Sequence, residues 1–234
     1  ARVKLLHILQ ERARQLGVHI LYRVDVKDDA DLVGLGLADA DLVVAADGVN
    51  SVIRRKYAHH FEPDLDVRPA KFIWLGTTRR FEAFTFIFRE SEHGAFVAHH
   101  YRYSPSMSTF IVECDEPTWR RAGLDRMDDA ASSAYCERVF APDLGGQPLV
   151  SNKSLWRQFP LLQNRVWHAG NAVLIGDALR SMHFSIGSGT RLAFEDAIAL
   201  DRAFAEAGED VPAALAAFER ERRPVVEKLF AAAS

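Results

Sequence analysis

The sequence predicts an α/β fold in which α/β segments at the two ends of the chain flank an inserted antiparallel β-sheet. Short apolar runs at residues 42–46 and 172–175 are each joined to a Gly/Asp pair, and such runs are typical of buried parallel strands. The middle of the chain is rich in aromatic residues that alternate as half-buried strands do. We therefore expect one α/β domain, residues 1–60 and 165–234, whose chain leaves to form a second domain, residues 61–164, and then returns.

The composition is that of a folded globular protein and argues against several classes of function. The chain has 234 residues, of which 48% are apolar and 26% charged, enough for one large domain or two small ones. A net charge of −3 provides no basic surface for nucleic acid or an anionic membrane. The apolar stretches are too short to cross a bilayer, and no signal-peptide pattern is recognised. Cys114 and Cys136 are too few for a disulfide scaffold, so a reducing cytoplasm is expected.

Hydrophobic periodicity assigns the other elements of the two ends. Residues 2–16 form an amphipathic helical pattern, and residues 18–24 have the pattern of a short strand. Near the other end, helices are expected over residues 190–207 and 212–233. Because proline cannot donate a helical hydrogen bond, Pro224 is expected to kink or divide the last helix.

The middle of the chain is predicted to be a series of antiparallel strands separated by turn-type clusters. The expected strands are residues 72–78, 84–88, 95–103 and 109–114, and a helix follows at 128–140. Phe84, Phe86 and Phe88 share one face of their strand, and we expect that face to be the core of the sheet.

The first strand-end motif is the apolar run 42–46 followed by Asp47-Gly48. It places a carboxylate and a glycine at the carboxyl edge of the sheet, where open α/β sheets bind ligands. Gly48 permits a positive φ, Asp47 can accept hydrogen bonds from hydroxyl groups, and Arg54 can meet a phosphate. An ordinary turn after a strand has a similar sequence, so this motif alone is a weak signal.

The second motif has the same layout and adds a glycine loop before a helix. The N-terminus of a helix carries partial positive charge and free N–H groups, which suit an anionic ligand. A strand–loop–helix crossover whose glycines only make the turn is the alternative. The two motifs in this order, separated by a β-rich insertion, are more specific than either alone. The residues of the second motif expected to bind a ligand are Gly176, Asp177, Gly187, Ser188, Gly189 and Thr190.

Together the motifs resemble the FAD fingerprints of the flavin-dependent aromatic hydroxylases of the p-hydroxybenzoate hydroxylase type. The matching residues are Asp47, Gly48, Ser51 and Arg54 for the second fingerprint, and Gly176, Asp177, Ala178, Gly187, Gly189, Glu195, Asp196 and Ala197 for the third. The resemblance covers essentially the whole chain. It implies FAD as the cofactor, bound by an incomplete Rossmann-like domain, and a substrate-binding role for the inserted sheet.

The resemblance also implies a role for each cofactor-binding residue. Asp177 is expected to hold the ribityl chain of FAD, and the helix start at 187–190 to face the pyrimidine edge of the flavin, where reduced flavin carries negative charge. Asp47 and Arg54 are expected to support the diphosphate side. Arg2 corresponds to an arginine that approaches FAD in many relatives.

Three further segments are similar to those of a subgroup that acts on acyl-CoA thioesters. The segments are residues 71–78, 107–114 and 183–190. They resemble salicyloyl-CoA 5-hydroxylases and 2-aminobenzoyl-CoA monooxygenase/reductases. This likeness implies hydroxylation of an aromatic acyl-CoA such as 2-aminobenzoyl-CoA or salicyloyl-CoA, with NADH or NADPH as the reductant and O2 as co-substrate. The tryptophan-derivative hydroxylases of violacein biosynthesis are similar over the same segments, so an indole hydroxylase is the alternative.

Two features depart from the family pattern. Arg180 and Phe184 stand where the family usually has His and Pro, and Arg180 is expected to alter contacts to the flavin diphosphate. The Gly-x-Gly-x-x-Gly motif that cradles the diphosphate is not found, so we expect a family member whose N-terminal segment is missing. A non-catalytic remnant that no longer binds FAD is therefore an alternative of another class.

Histidine and tyrosine supply the candidate catalytic groups. His99 and Tyr101 lie two residues apart on one predicted strand. The resemblance implies that they form a polar surface beside the aromatic ring of the substrate and orient or deprotonate the substituent on that ring. An ordinary exposed strand face is the alternative. The pairs His59-His60 and His99-His100 are adjacent, and neighbours on a strand point to opposite faces, so no metal site is expected. The sequence does not fix an oligomeric state.

Overall fold

The computed structural model describes residues 2–184 and 187–233. Ser185 and Ile186, which belong to the predicted glycine loop, lie outside the described residues. The chain divides into two compact units, one formed by Ala1–Arg23 and Arg68–Phe159 and the other by Val24–Val67 and Pro160–Ser234. We call the first the sheet unit and the second the α/β unit.

The sequence-based division differs from this one in that it joins residues 1–23 to the α/β segments rather than to the sheet. The assignment of each domain to a ligand stays a prediction.

Helices and strands of the described residues are numbered here in chain order. The helices are α1 (Arg2–Gln15), α2 (Asp29–Gly34), α3 (Val52–Lys56), α4 (Ala58–Phe61), α5 (Glu116–Arg121), α6 (Asp129–Val139), α7 (Ala141–Leu144), α8 (Gly176–Leu179), α9 (Gly189–Ala207) and α10 (Val211–Ala233). The strands are β1 (Val43–Ala45), β2 (Pro63–Thr77), β3 (Thr85–Ser91), β4 (Gly94–Arg102), β5 (Ser108–Cys114), β6 (Leu149–Val150), β7 (Arg157–Asn164), β8 (His168–Ala169) and β9 (Ala172–Leu174).

The α/β unit contains a three-stranded sheet in the order β1–β9–β8. Strands β1 and β9 are parallel, with Val43 opposite Ala172 and Ala45 opposite Leu174. The two apolar runs are therefore neighbouring parallel strands, as their composition predicts. The expectation that the first run is covered on both faces is wrong, because Val44 is 39% exposed.

Helices α9 and α10 supply half of the buried residues in the core of the α/β unit. Buried residues of the two helices form one apolar cluster with Val173 and Leu174 of β9. Helix α10 continues through Pro224, so this proline does not divide the helix, and the kink that is the other expected outcome stays a prediction. Its side chains are buried both before the proline, at Phe218, and after it, at Val226, and this packing anchors both halves of the helix. Among the described residues, no helix is both long enough and apolar enough to span a membrane.

The other sheet has six strands in the order β3–β4–β5–β2–β6, with β7 paired to β2. Antiparallel pairing joins β3 to β4, β4 to β5 and β5 to β2, as the alternating sequence predicts. Strand β2 begins at Pro63, well before its predicted start at residue 72. The fold class predicted from the sequence is confirmed, with a parallel pair in one sheet and an antiparallel sheet inserted between its strands.

The two faces of the antiparallel sheet differ in what covers them. One face, which includes Ile73, Phe96 and Phe110, forms a buried cluster with side chains of α6 and α7. Phe84, Phe86 and Phe88 belong to the opposite face and are 51%, 42% and 70% exposed, so the prediction that they form the core is wrong. Alternation shows which residues share a face, but it does not show which face the helices cover.

The first 24 residues differ most from the predicted structure. Helix α1 forms as predicted and ends before Gly17, whose φ is +79°. None of its described residues is buried, so its apolar stripe is exposed. The predicted strand at residues 18–24 is wrong. This segment pairs with no strand among the described residues, and an isolated strand has no hydrogen-bonded ladder to hold it.

Both cysteines are free and buried in the sheet unit. Burial raises the pKa of the Cys114 thiol to about 12 and also raises the pKa of Cys136. Because the thiolate is the reactive form, neither side chain is a nucleophile at neutral pH. The cytoplasmic location stays a prediction.

Candidate functional site

The two strand-end motifs lie at the same edge of the α/β sheet. Asp47 follows β1 by two residues and Asp177 follows β9 by three, and the two strands are parallel neighbours. The carboxyl ends of parallel strands meet at one edge, which is where open α/β sheets bind their ligands. Both carboxylate residues are exposed. The sequence motifs thus place two acidic side chains on one accessible edge.

The Asp47-Gly48 segment is a turn that leads directly into a helix. Gly48 has a φ of +83°, in the left-handed region that favours glycine. Asp47 Oδ2 accepts a hydrogen bond from Val52 N at 2.7 Å, and Ser51 Oγ caps α3 by accepting one from Arg54 N at 3.1 Å. These bonds fix the turn, while the side chain of Asp47 stays exposed at its surface.

Arg54 connects the two motifs. Its Nη1 donates to the carbonyl of Ala178 at 2.8 Å, and its Nη2 donates to the carbonyl of Val49. The side chain is 5% exposed, and burial lowers the pKa of its guanidinium, an effect that Asp47 partly opposes. In the structure two of its guanidinium nitrogens donate to backbone carbonyls, and the expectation that Arg54 meets a phosphate stays a prediction. Its contribution to a ligand site is to hold the turn after β1 against the turn after β9.

The Gly176-Asp177 turn requires glycine at its first position. Gly176 has a φ of +58°, and a Cβ added there would lie 3.3 Å from the Cβ of Ala193 in α9. Its N–H donates to Asp196 Oδ2 at 3.0 Å. Asp177 Oδ1 lies 3.9 Å from the place where a Cβ at Gly189 would stand, so glycine there leaves the space beside this carboxylate open.

The glycine loop after β9 is described from Gly187 onward. Gly187 has a φ of +64°, and its N–H donates to the carbonyl of Phe184 at 2.9 Å. Ser188 is the N-cap residue of α9 and makes no side-chain cap hydrogen bond, and no acidic residue lies in the first turn. Gly189 and Thr190 are exposed at the start of this helix of 19 residues. The helix start and Asp177 therefore lie beside each other at one edge of the unit.

Arg180 is directed into the protein rather than toward a ligand. It is 4% exposed, and its Nη1 donates to Asp196 Oδ2 at 2.5 Å. An effect of Arg180 on contacts to a diphosphate stays a prediction. Asp196 is itself fully buried and also pairs with Arg222 of α10, whose Nε lies 3.1 Å from Asp196 Oδ1.

The other face of the antiparallel sheet carries a row of four paired residues, one from each of four strands, and three of them are aromatic. Phe86, His99, Ile111 and Trp74 are successive partners in the pairing of β3, β4, β5 and β2, so they share this face. The His99 ring centroid lies 5.4 Å from that of Phe86. We call this surface the aromatic face.

His99 and Tyr101 both belong to the aromatic face. His99 is buried, with Nδ1 3.3 Å from Oε1 of Glu113, and Tyr101 is half-buried with its ring centroid 6.0 Å from that of Phe84. His99 is therefore not part of an ordinary exposed strand face. Catalysis by either residue stays a prediction.

The remaining predicted positions have simpler surroundings. Arg2 is exposed in the first turn of α1, in the sheet unit, and its contact with a cofactor stays a prediction. His59 and His60 lie in α4 rather than on a strand, with ring centroids 4.0 Å apart. Among the residues that the structure describes, no group of His, Cys, Asp and Glu could hold a metal ion.

Asp196 matches a family motif, but its sequence context does not assign it to the site, and Glu113 is not among the predicted site residues. Glu113 is identifiable from alternation, because it lies two residues from Ile111 on one face of β5. The role of Asp196 depends on contacts with residues 16, 20 and 26 positions away, for which a local pattern gives no signal.

A cavity of 620 Å³ in the α/β unit does not coincide with the two motifs. Its lining includes Val43 and Ala172, the first residues of β1 and β9, together with Tyr57 and His168. The motifs lie at the other ends of the same strands. We place the candidate site at the motifs, because that edge carries the exposed carboxylates and the start of α9.

In the α/β unit an acidic residue follows each of two parallel strands, and one of these residues lies beside the start of a helix that glycine precedes. This arrangement is typical of proteins that bind a nucleotide cofactor. The sequence model of the FAD binding domain family matches residues 4–233. The chain belongs to this family, and the resemblance drawn from its motifs is confirmed.

Curated relatives of the chain are aromatic monooxygenases by name. It is 45% identical over 236 residues to a salicyloyl-CoA 5-hydroxylase of a Streptomyces species, a match covering 97% of this chain and 45% of the relative. It is 43% identical over 227 residues to a protodeoxyviolaceinate monooxygenase of Chromobacterium violaceum, covering 95% of this chain and 59% of the relative. The chain thus spans about half the length of the curated relatives it matches.

Solved structures show the same fold. A 2-methyl-3-hydroxypyridine-5-carboxylic acid oxygenase superimposes with a TM-score of 0.68 at 20% identity, over 83% of this chain and 53% of that chain. A probable FAD-dependent monooxygenase from Pseudomonas aeruginosa superimposes with a TM-score of 0.61 at 22% identity, over 82% and 54% respectively. At these identities the likeness concerns the fold.

The residues at the strand ends fit FAD, the cofactor of the family. Glycine at 189 keeps open the space beside Asp177 that a Cβ would narrow, and this exposed carboxylate can accept hydrogen bonds from the hydroxyl groups of a polyol chain. The uncapped start of α9 suits the electron-rich edge of a flavin. Asp47 presents a second exposed acceptor at the same edge.

Proposed function

We propose that this chain forms the flavin-contacting part of an FAD-dependent monooxygenase that hydroxylates an aromatic ring. The observation that carries this proposal is the pairing of the two strand-end motifs on parallel neighbouring strands, with Arg54 bonded to both turns. Family membership and the names of the relatives support it.

The residues of the α/β unit bind and orient the cofactor. Asp177 accepts hydrogen bonds from the ribityl hydroxyls, and Asp47 provides a second acceptor at the same edge. The start of α9 at Ser188 and Gly189 stabilises negative charge on the pyrimidine edge of the flavin. When bound, FAD supplies the redox chemistry that takes electrons from NADH or NADPH and activates O2.

The test of this proposal is the binding of FAD to the purified chain. We expect the chain to bind FAD, measured by quenching of flavin fluorescence. Asp177→Ala removes a charge-assisted hydrogen bond worth about 1.5–3 kcal/mol and should weaken binding by about 10- to 100-fold. Asp201→Ala is the control, because Asp201 is an exposed acidic residue on α9 remote from its start. Equal affinities for the unmodified chain and Asp177→Ala contradict the proposed site, and absence of binding indicates a non-catalytic remnant.

We propose an aromatic acyl-CoA thioester, such as salicyloyl-CoA or 2-aminobenzoyl-CoA, as the substrate. The aromatic face supports this proposal, because Phe84 and Phe86 expose rings that pack edge to face with centroids 5.2 Å apart and can stack on a substrate ring. His99 and Tyr101 would then orient or deprotonate the ring substituent. The salicyloyl-CoA 5-hydroxylase relative adds support for a thioester.

An indole-type substrate is the second candidate, favoured by the 43% identity to the protodeoxyviolaceinate monooxygenase. The two substrate classes differ in the CoA group that only the thioester carries. Binding measured with salicyloyl-CoA, acetyl-CoA and a tryptophan derivative separates them. Preference for the tryptophan derivative would favour the indole-type enzyme.

Phe86→Ala should weaken the binding of salicyloyl-CoA by about two- to tenfold, because aromatic pairs contribute about 0.5–1.5 kcal/mol beyond buried area. Phe88→Ala is the matched control on the same strand, since Phe88 is 70% exposed and lies away from His99 and Tyr101. Isothermal titration calorimetry measures both. An equal loss of salicyloyl-CoA affinity in the two variants would argue against a ring-binding role for Phe86.

A further inference from the structure

Asp196 is a fully buried carboxylate that accepts three hydrogen bonds. Its Oδ2 accepts from the N–H of Gly176 at 3.0 Å and from Arg180 Nη1 at 2.5 Å. Its Oδ1 accepts from Arg222 Nε at 3.1 Å. A buried carboxylate is strongly disfavoured unless such bonds compensate its desolvation, so its position is tightly determined.

One of these bonds reaches the turn that carries Asp177. Gly176 immediately precedes Asp177, its N–H is held by Asp196, and a Cβ added to it would lie 3.3 Å from the Cβ of Ala193 on the same helix. Helix α9 therefore contacts the turn at two points, one polar and one apolar. Because Gly176 has a φ of +58°, a small rotation of its backbone would redirect the following carboxylate.

Arg222 holds Asp196 from the other side. Besides its bond to Asp196, it donates from Nη2 to Glu195 Oε2 at 3.0 Å, so α10 is bonded to two successive acidic residues of α9. Arg180 completes this cluster of two carboxylates and two guanidiniums, and Arg191 pairs with Glu195 from the same helix at 3.6 Å. Arg180, Arg222 and Asp196 are all buried and lie beneath the surface at which a ligand would bind.

We propose that Asp196 is a positioning residue for the cofactor site: through its bond to the Gly176 amide it fixes the turn that aims the Asp177 carboxylate at the flavin. The inference rests on the proposed function for the identity of the ligand. Asp196 itself does not contact the cofactor, and Arg222 acts by restraining Asp196.

The first test needs no ligand. Asp196→Asn replaces a carboxylate by a weaker neutral acceptor, so the amide of Gly176 should exchange its hydrogen at least tenfold faster, while the amides of β9 keep their protection. Nuclear magnetic resonance of the free protein measures each amide. Asp201→Asn, an exposed residue on the same helix, should leave the exchange of Gly176 unchanged.

The second test is a double-mutant cycle on FAD affinity. Asp196→Asn should weaken FAD binding about tenfold in the unmodified background and leave it within twofold in the Asp177→Ala background, because its effect passes through Asp177. A purely structural role would give the same loss in both backgrounds. Riboflavin, which carries the ribityl chain without the diphosphate, should show the same pattern.

A charge-balanced variant covers the case in which Asp196→Asn does not fold. Asp196→Asn with Arg180→Gln removes one charge of each sign, and Arg222 keeps its bond to Glu195. The Gly176 amide should again exchange faster. Unchanged exchange at Gly176, or equal losses of FAD affinity with and without Asp177, would overturn the proposal. Failure of the unmodified chain to bind FAD would instead contradict the proposed function, and the exchange experiment would still decide the role of Asp196.

Discussion

Arg54→Met should destabilise the protein by about 4 kcal/mol, because it removes two hydrogen bonds from a charged donor to backbone carbonyls, one buried and one part-buried, each worth about 1.5–3 kcal/mol. The guanidinium bonds to Val49 and Ala178, which are 129 residues apart in the chain, so local structure cannot replace the connection. Methionine retains much of the apolar stem but offers no donor. Urea unfolding at pH 7 measures the free energy of unfolding.

The adjacent Arg55 provides a matched control. It is exposed, and its Nη1 donates to the carbonyl of Asn50 at 2.6 Å, within the same turn. Arg55→Met should change the free energy of unfolding by less than about 1 kcal/mol. A similar decrease in the free energy of unfolding in the two variants would show that Arg54 does not connect the two turns.

Stability should fall by about 3 kcal/mol between pH 6.5 and pH 4 because of His100. Burial lowers the pKa of this histidine to about 4 in the folded protein, with smaller contributions from Asp143, which raises it, and from His99 and Arg79, which lower it. The unfolded chain has the ordinary value near 6.5. As the pH falls through this window, the unfolded state binds a proton that the folded state does not bind. The contribution of His100 to the free energy of unfolding is therefore complete only above pH 6.5.

The surroundings of His100 explain its resistance to protonation. The ring stacks on Phe81 with centroids 3.4 Å apart and on Phe110 with centroids 5.8 Å apart. Neither ring nitrogen has a hydrogen-bond partner among the residues that the structure describes. His100→Leu should therefore flatten the pH dependence of the free energy of unfolding, whereas His7→Leu on the exposed helix α1 should preserve it. An unchanged slope in His100→Leu would contradict this account.

The sequence predicts the elements that depend on local pattern. The apolar runs before Asp47 and around residue 172 are strands, and α9 begins within one residue of its predicted start. The same local reasoning fails at residues 18–24, where the β pattern is present but no partner strand is available among the described residues. Strand formation requires a ladder between segments, so composition alone is insufficient.

The candidate site is predicted in outline but not in its internal connections. Exposed groups such as Asp177 follow from motif spacing, because the end of a buried parallel strand determines which edge of the sheet they occupy. The positions of Arg54 and Asp196 could not be predicted, since each depends on partners on other elements. Arg54 shows the consequence: its motif gives no sign that the side chain is buried and bonded to two turns.

The most direct test of a single flavin site is a titration of the isotope-labelled chain with FAD, followed residue by residue by nuclear magnetic resonance. The amides of Gly48, Asp177 and Gly189 should shift together and yield one dissociation constant. Those of Gly170 and Asn171, at the opposite ends of the strands, should not move. Shifts at only one motif, or two different dissociation constants, would contradict the conclusion that the two strand ends bind one ligand.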